Sequence, residues 1–416
     1  MFKQRSVGLR GLTVWAGGSG KLGAMRGGVL RLKKGRARGH PWIFKGDVAD
    51  VSDVEAGAAV TVIDSGGGFV GRGFYNPRPA LCCRIVTRQD EALDGSLWRR
   101  RIDSALAYRR RVASGGTATR LVWSEADGLP GLVVDRYAGV LVVQCLTLGM
   151  ARVRADLVAA LRAALGDLPV FVADEPTPAR LEGFEPKRGW LDTSGPASVI
   201  VDEPGAGGAV RFGVTFGAGH KTGLYLDQRD NRRRFGALAG ARDVLDVFGY
   251  NAAFTCHALV GGARRALCIE SSPDAVSAAR ENLVLNGVAD RGEVLAANAF
   301  DELRRLDRAR ARFGLVTLDP PSFARGREAV EAAHRGYKEI NLRSMRLLEP
   351  GGVLATFSCS HHISAGDFAE MCREAADDAA VTLRVLATLT QSPDHPTLLA
   401  VPETCYLKGL LLERID

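Results

Sequence analysis

A chain of 416 residues is too long for one ordinary hydrophobic core, so two or three domains of ~100–200 residues are expected. With 46% hydrophobic and 25% charged residues it has the composition of a globular protein; no apolar run approaches the ~18 residues of a membrane span and the first residues lack the order of a secretory signal, so no membrane partner and a cytoplasmic location are expected. The formal net charge of +8 is concentrated in residues 1–120, which hold 22 Lys/Arg against 9 Asp/Glu, and that asymmetry predicts a polyanion-binding end with nucleic acid as the partner.

Residues 1–27 are rich in Gly and Lys/Arg without sustained periodicity and are expected to form a disordered basic arm, with Met1 or Met25 as the starting residue. Over 28–98, short β-type runs (29–32, 59–63, 69–75 and 81–86) alternate with Gly-, Asn- and Pro-rich turns, which predicts a small barrel-like all-β domain. Its cations Lys33, Lys34, Arg36 and Arg38 precede Trp42 and Phe44. The two rings are expected in the barrel core, and the cations on a face that pairs with phosphates. An Arg-rich helix over 97–112 opens a mixed α/β region, 99–195. There the turn Gly128-Leu129-Pro130-Gly131 joins two apolar runs as in a hairpin. A β run at 140–146 precedes an amphipathic helix over 151–165, and 171–173 adds a strand. Over 196–416, strands at 243–248, 265–270, 291–296, 314–318, 353–357 and 406–413 alternate with helices at 253–260, 273–286, 329–348 and 364–379. Alternation at that spacing predicts an α/β fold built on a doubly wound, Rossmann-like sheet with right-handed crossovers.

In such a sheet, ligands bind beyond the carboxyl ends of the strands. The first strand carries Asp246 and runs through Phe248, Gly249 and Tyr250 into Asn251-Ala252-Ala253-Phe254. A small-residue loop there lets backbone amides approach a ligand before a helix begins. The second strand ends in Glu270, placed to accept two hydrogen bonds from a ribose diol. The G-x-G-x-x-G of dinucleotide enzymes is missing, whereas Asp246 can meet a positively charged amino-acid group. Together these features favour S-adenosylmethionine over NAD. Two later strands end in Asp319-Pro320-Pro321-Ser322-Phe323 and in Ser358-Cys359-Ser360. A rigid corner and a thiol at two such ends suggest one site built from two loops and suited to a flat heterocycle. The eight cysteines include no CxxC pair, and the adjacent His361 and His362 have no spaced carboxylate partner, so neither a disulfide framework nor a metal is expected.

Taken in order, these motifs resemble those of the bacterial class I methyltransferases that make 5-methylcytosine in large-subunit ribosomal RNA, the rRNA large-subunit methyltransferase I type. The resemblance covers nearly everything after about residue 28. Lys34-Gly35-Arg36 with His40-Pro41-Trp42-Ile43-Phe44 is similar to that family's N-terminal PUA domain, 128–137 to its central domain, and 221–232, which includes Gln228, to the opening of its catalytic domain. Asp319-Pro320-Pro321, Ser358-Cys359-Ser360 and Tyr406-Leu407-Lys408-Gly409 complete the set. The resemblance implies a PUA-like RNA-binding domain over 28–98, with Lys34, Arg36 and Arg38 as RNA contacts, a central domain over 99–195 and a methyltransferase domain over 196–416. It implies a cofactor site of Gln228, Asp246, Phe248, Gly249, Tyr250, Glu270, Asn298 and Asp319. The substrate base would lie against Pro320, Pro321 and Phe323. The partners considered are large-subunit rRNA and a second copy of the chain in a homodimer.

Carbon 5 of cytosine is a poor nucleophile, and a thiolate adding to carbon 6 makes it enamine-like. Cys359 is the expected nucleophile and Asp319 the group that holds the base. Three departures from the family pattern stand out. Ala252-Ala253 replaces Gly-Gly, and both alanines are expected to belong to the start of the helix, where Ala costs nothing. Asn298 stands where an Asp is usual, and its carbonyl is expected to accept from the adenine amine instead. Ser322 brings no second thiol, which leaves His361, Lys338 or a water to remove the carbon-5 proton. The alternatives are a methyltransferase acting on an exocyclic amine without a thiol step, and an RNA-binding assembly factor with a decayed cofactor site.

Overall fold

A computed structural model of the chain describes residues 28–34, 39–112, 115–191, 194–217, 223–324 and 326–416. The expected arm over 1–27, the cations Arg36 and Arg38, and Lys221 and Thr222 of the catalytic-domain motif lie outside the described residues.

The N-terminal sheet has six strands, β1 (Gly28–Leu32), β2 (Trp42–Phe44), β3 (Val48–Val51), β4 (Ala58–Ile63), β5 (Phe69–Tyr75) and β6 (Leu81–Thr87), in the order β2-β6-β5-β4-β1-β3. Its core is aliphatic, with Leu30, Leu32, Ile43, Val60 and Val62 buried. The expectation that Trp42 and Phe44 fill this core is corrected here. Alternate residues of a strand face opposite sides, and β2 turns Ile43 inward. Phe44 is 46% exposed, and the indole Nε1 of Trp42 donates to Glu125 of the next sheet at 2.9 Å.

That next layer begins with α1 (Gly95–Val112), followed by β7 (Ala118–Trp123), β8 (Leu132–Tyr137) and β9 (Val140–Cys145). It continues through α2 (Leu148–Arg152), α3 (Arg154–Leu165), β10 (Val170–Ala173), α4 (Pro176–Glu182) and β11 (Arg188–Trp190). The strands lie in the order β11-β10-β9-β8-β7, and β7 and β8 form the expected antiparallel hairpin. The single helix expected over 151–165 is two, parted at Val153, and α2 starts one turn earlier because the Thr147 side chain caps it. An antiparallel ribbon of β12 (Ser198–Gly205) and β13 (Gly208–Thr215), absent from the expected strands, then leads into the catalytic layer.

That layer runs α5 (Arg229–Ala237), β14 (Asp243–Val247), α6 (Ala253–Val260), β15 (Arg265–Glu270), α7 (Pro273–Leu285), β16 (Gly292–Ala296), α8 (Ala299–Arg308) and β17 (Phe313–Leu318). It closes with α9 (Val330–Leu347), β18 (Leu348–Ser358), α10 (Ala365–Ala379), β19 (Leu383–Leu389) and β20 (Lys408–Arg414). The seven strands are ordered β16-β15-β14-β17-β18-β20-β19. The first five are mutually parallel, and β20 is antiparallel to both of its neighbours. This is the α/β, Rossmann-like sheet the sequence predicts. Strands buried on both faces become continuous apolar runs, and all five residues of β14 are buried. Alternation sends Val244 to the α6–α7 side and Leu245 and Val247 to the α8–α10 side. The order reverses at β14/β17, the switch point at which open α/β sheets bind ligands. Among the described residues, no helix is long and apolar enough to cross a membrane.

Candidate functional site

The register Val247↔Leu318↔Thr356 aligns the carboxyl ends of β14, β17 and β18. Phe248, Asp319 and Cys359 therefore emerge on one edge of the sheet.

At the end of β14, Asp246 shares the face of Val244 and meets α6. Its Oδ2 accepts from Thr255 N at 3.1 Å and Thr255 Oγ1 at 2.7 Å, while Oδ1 is buried with no hydrogen-bond partner among the described residues. Burial pushes this carboxyl up to about 6 in spite of the Thr255 bonds. A buried carboxylate oxygen with no partner costs free energy unless a donor or cation meets it. A second such group is Gln228, whose Oε1 accepts from Asn231 at 2.7 Å and whose Nε2 is buried and unmet.

The loop after β14 alternates conformations: Phe248, Tyr250 and Ala252 lie at φ 63°, 50° and 59°. Gly249, between the first two, bonds Ile269 O through its N–H at 3.0 Å. A Cβ at Gly249 would come 2.2 Å from Cys268 Sγ and 3.2 Å from the Asp246 carboxylate, so only glycine lets the chain pass this close over Asp246. The expectation that both alanines already belong to the helix holds for Ala253 alone. Ala252 is the residue before it and sits in the left-handed region at ψ 33°.

Glu270, at the end of β15, orients that loop. Its Oε2 accepts from Tyr250 N at 2.9 Å, and Oε1 accepts from Ser271 N and Ser272 N at 2.7 and 2.8 Å. A carboxylate offers about four acceptor sites, so one remains, and the expected pair of bonds to a diol is reduced to one unless a backbone bond gives way. Asn298 also differs from expectation. Its Oδ1 caps α8, accepting from Phe300 N at 3.0 Å and Asp301 N at 3.3 Å. Both lone pairs are in use, and what Asn298 offers outward is the Nδ2 donor rather than an acceptor. The N-cap was legible in the Asn followed three residues later by Asp.

The loops after β17 and β18 are tied together by Ser360, the motif residue that follows Cys359 and to which the sequence assigns no role of its own. Ser360 Oγ lies 3.0 Å from both Ser322 Oγ and Tyr337 Oη, and Ala324 N donates to it at 3.4 Å. Pro320 is buried and Pro321 exposed. Phe323 stacks into a wall with Tyr337 at 4.7 Å, Phe300 at 5.9 Å and Phe248 at 6.2 Å between centroids. Cys359 is half-buried, whereas six of the other cysteines are buried and Cys405 is exposed.

Three further side chains, Tyr225, Tyr406 and Lys408, stand in the motifs above without an assigned role and lie near that thiol. Burial pushes the Tyr225 phenol well up, and the charges of Tyr250, Asp319, Asp227 and Cys359 add to the effect, which puts Asp319 and Cys359 in one neighbourhood. Tyr406 donates to Asp227 Oδ2 at 2.6 Å and also feels the Cys359 charge. Lys408 Nζ donates to Ser360 O at 2.6 Å; burial lowers its pKa while Cys359 opposes the shift. Of the candidate bases, Lys338 is turned away, paired with Glu374 at 3.2 Å and Asp378 at 3.0 Å. His361 packs 6.4 Å from the Tyr406 ring; desolvation by its surroundings, then Lys408 and His362, hold its pKa below the usual value. Lys34 is exposed in the bend that follows β1.

A family model for S-adenosylmethionine-dependent methyltransferases matches residues 189–413, and one for PUA-like domains matches 30–88. Ribosomal RNA large subunit methyltransferase I of Alteromonas mediterranea is 37% identical over 388 residues, covering 92% of this chain and 97% of the relative. The chain belongs to the ribosomal RNA large subunit methyltransferase I family. The family member of Shewanella denitrificans is 36% identical, covering 92% of this chain and 98% of the relative. Among solved structures, SMU.776, a methyltransferase complexed with SAH, superposes with a TM-score of 0.79 at 18% identity over 92% of this chain and 99% of its own. A SAM-dependent methyltransferase from Streptococcus mutans gives a TM-score of 0.79 at 17% identity over the same shares. At those identities the likeness concerns the fold alone. The cofactor of this family is S-adenosylmethionine, and the unmet Asp246 oxygen, the unmet Gln228 amide and the Gly249 passage fit a ligand with a cationic amino-acid end.

Proposed function

We propose that this chain transfers a methyl group to carbon 5 of a cytosine in large-subunit ribosomal RNA through a covalent adduct with Cys359. The RNA class follows the names of the relatives. The observation that carries the chemistry is the Ser360 knot, which fastens the Cys359 loop to the Asp319-Pro-Pro loop at the edge where Asp246 has an unmet oxygen. Bound S-adenosylmethionine supplies an electrophilic methyl group, held by Asp246, Gln228, Glu270 and the backbone from Phe248 to Tyr250.

The residues then divide the work. Pro320 and Pro321 stiffen the corner, and the base lies beside Phe323 with its polar edge on Asp319. The Lys408 ammonium, bonded to the carbonyl next to Cys359, favours the thiolate over the thiol. The thiolate adds to carbon 6 and makes carbon 5 nucleophilic toward a methyl group that the bound sulfonium would supply, its sulfur–methyl bond breaking to leave the neutral thioether. Loss of the carbon-5 proton to a base then returns the electrons and expels the thiolate. His361, held in its neutral form, is the candidate side chain left for that proton.

Replacing Cys359 with Ala tests the reading. Turnover should fall by ~10³-fold or more, as for removal of a covalent nucleophile, while calorimetry shows unchanged cofactor affinity. RNA containing 5-fluorocytidine should form a denaturation-resistant complex with the wild type and none with Cys359→Ala. Full turnover by the variant would transfer the assignment to methylation of an exocyclic amine.

A further inference from the structure

Carbon 6 of a base stacked within folded RNA is out of reach of a thiol on a sheet edge. Enzymes that act on a base take it out of the stack, and an apolar side chain pushed between neighbouring bases can hold the gap open. One turn of this chain has the form of such a wedge. Leu398 and Val401 pair as an isolated bridge, with Val401 N donating to Leu398 O at 2.8 Å. Leu398 N donates to Thr404 Oγ1 at 2.8 Å, and that hydroxyl donates to Val401 O at 2.6 Å. Gln391 Nε2 holds the Thr404 carbonyl at 2.6 Å. The turn is fastened before any ligand arrives, and at its tip Leu399 is 98% exposed.

A lone exposed leucine needs no explanation, but the position of this one does. Thr404 is two residues from Tyr406, a span of at most ~7 Å, and Tyr406 packs against His361 beside the Cys359 loop. On its other flank the turn meets the N-terminal sheet. His40 bonds Glu403 at 3.2 Å, and a Cβ on Gly39 would lie 3.6 Å from that of Ala400. Leu398, next to the tip, lines a cleft of about 380 Å³ together with Arg88, Arg100, Arg101, Glu91 and Glu125; Arg100 pairs with Glu91 at 2.5 Å, and Arg88 reaches the His40 carbonyl at 3.0 Å, so a phosphate here would meet arginines already oriented by the protein. The turn thus lies between this cleft, through Leu398, and the Cys359 loop, through Thr404 and Tyr406, and an RNA that engaged both would pass over it.

We propose that Leu399 inserts into the RNA stack beside the target nucleotide and fills the space that the extruded base leaves. The inference rests on the RNA reading above. The probe is unmodified large-subunit rRNA transcribed in vitro, either folded with magnesium or cut into short single strands that contain the position methylated by the wild type. On folded RNA, Leu399→Ala should lower kcat/KM by ~10-fold or more, since unstacking a base costs a few kcal/mol, and Leu399→Phe should restore it. On the short strands, where nothing needs to be unstacked, Leu399→Ala should match the wild type. Equal loss on both substrates, or loss on neither, overturns the wedge. A wild type that methylates neither RNA overturns the RNA reading itself and the wedge with it.

Discussion

Glu203 and Asp246 are both carboxylates buried against the same helix, α6, and their surroundings differ in kind. Glu203, on β12, is met by Arg232 at 2.5 and 3.0 Å and by His257 Nε2 at 3.1 Å. Burial alone would raise its pKa, but Arg232 and His257 pull it down to about 2. Asp246, two residues earlier on α6 by way of Thr255, has only neutral donors on one oxygen and nothing on the other, and its carboxyl is pushed up to about 6. A buried charge that is matched belongs to the scaffold, and one that is unmatched among the described residues can take a cationic partner. The same contrast holds more widely. Asp135 is gripped by Arg120 with two bonds of 2.8 Å; Asp394 holds Arg229 at 3.0 Å and His395 at 2.9 Å and accepts from Arg120 N at 3.0 Å, which joins the central and catalytic layers.

Breaking the matched site should give the largest effect. Arg232→Ala leaves Glu203 without its main partner, and loss of one member of a buried pair costs about 3–5 kcal/mol; urea unfolding would show it, and a loss below 1 kcal/mol would mean that Glu203 is not held as described. The acid side has a definite sign. The folded-state pKa of Glu203 lies below its unfolded value, so its contribution is present above about pH 4.5 and is lost as pH falls toward about 2.

The unmatched site should respond in binding instead. Asp246→Asn keeps the shape and the Thr255 contact but removes the charge, so S-adenosylmethionine affinity should fall by about 1.5–3 kcal/mol, roughly 10–100-fold, with stability unchanged or slightly raised. Equal losses in stability and affinity would erase the distinction from Glu203. The titration of Asp246 sharpens the point further. Its raised folded-state pKa means that the proton stabilises the free protein below the unfolded value and that this contribution is gone once pH passes about 6. A cationic ligand wants the ionised form, so calorimetric Kd should rise ~10-fold per unit as pH falls below 6, and the slope should vanish in Asp246→Asn.

The legible parts of this site were those written in local pattern. Strand periods and motifs put Asp246, Glu270, Asp319 and Cys359 at strand ends, and the sheet brings them to one edge. Tyr225, Tyr406 and Ser360 stand in the quoted motifs, but their roles were not legible because those lie in contacts across the fold, such as Tyr406 to Asp227. The outward turn of Trp42 and Phe44 depended on the register of a three-residue strand, where a one-residue slip exchanges inside and outside. The left-handed residues after β14 gave no signal because Phe248, Tyr250 and Ala252 are residue types that do not advertise positive φ.

Ala252 offers the finest test, because the terms acting on it nearly cancel. Holding an alanine in the left-handed region costs roughly 1–2 kcal/mol, which Ala252→Gly would relieve. Against that, a glycine loses about 0.5–1 kcal/mol more backbone entropy on folding. The buried methyl of Ala252, fully inaccessible in the core, forfeits ~0.8 kcal/mol of burial. The expected net change is therefore within about 1 kcal/mol of zero, readable as a nearly unmoved midpoint in urea. Ala252→Val should cost well over 1 kcal/mol, since a β-branched residue at positive φ is a genuine outlier. A gain above 1 kcal/mol in Ala252→Gly would show instead that the loop stores strain that neither the methyl nor the chain entropy offsets.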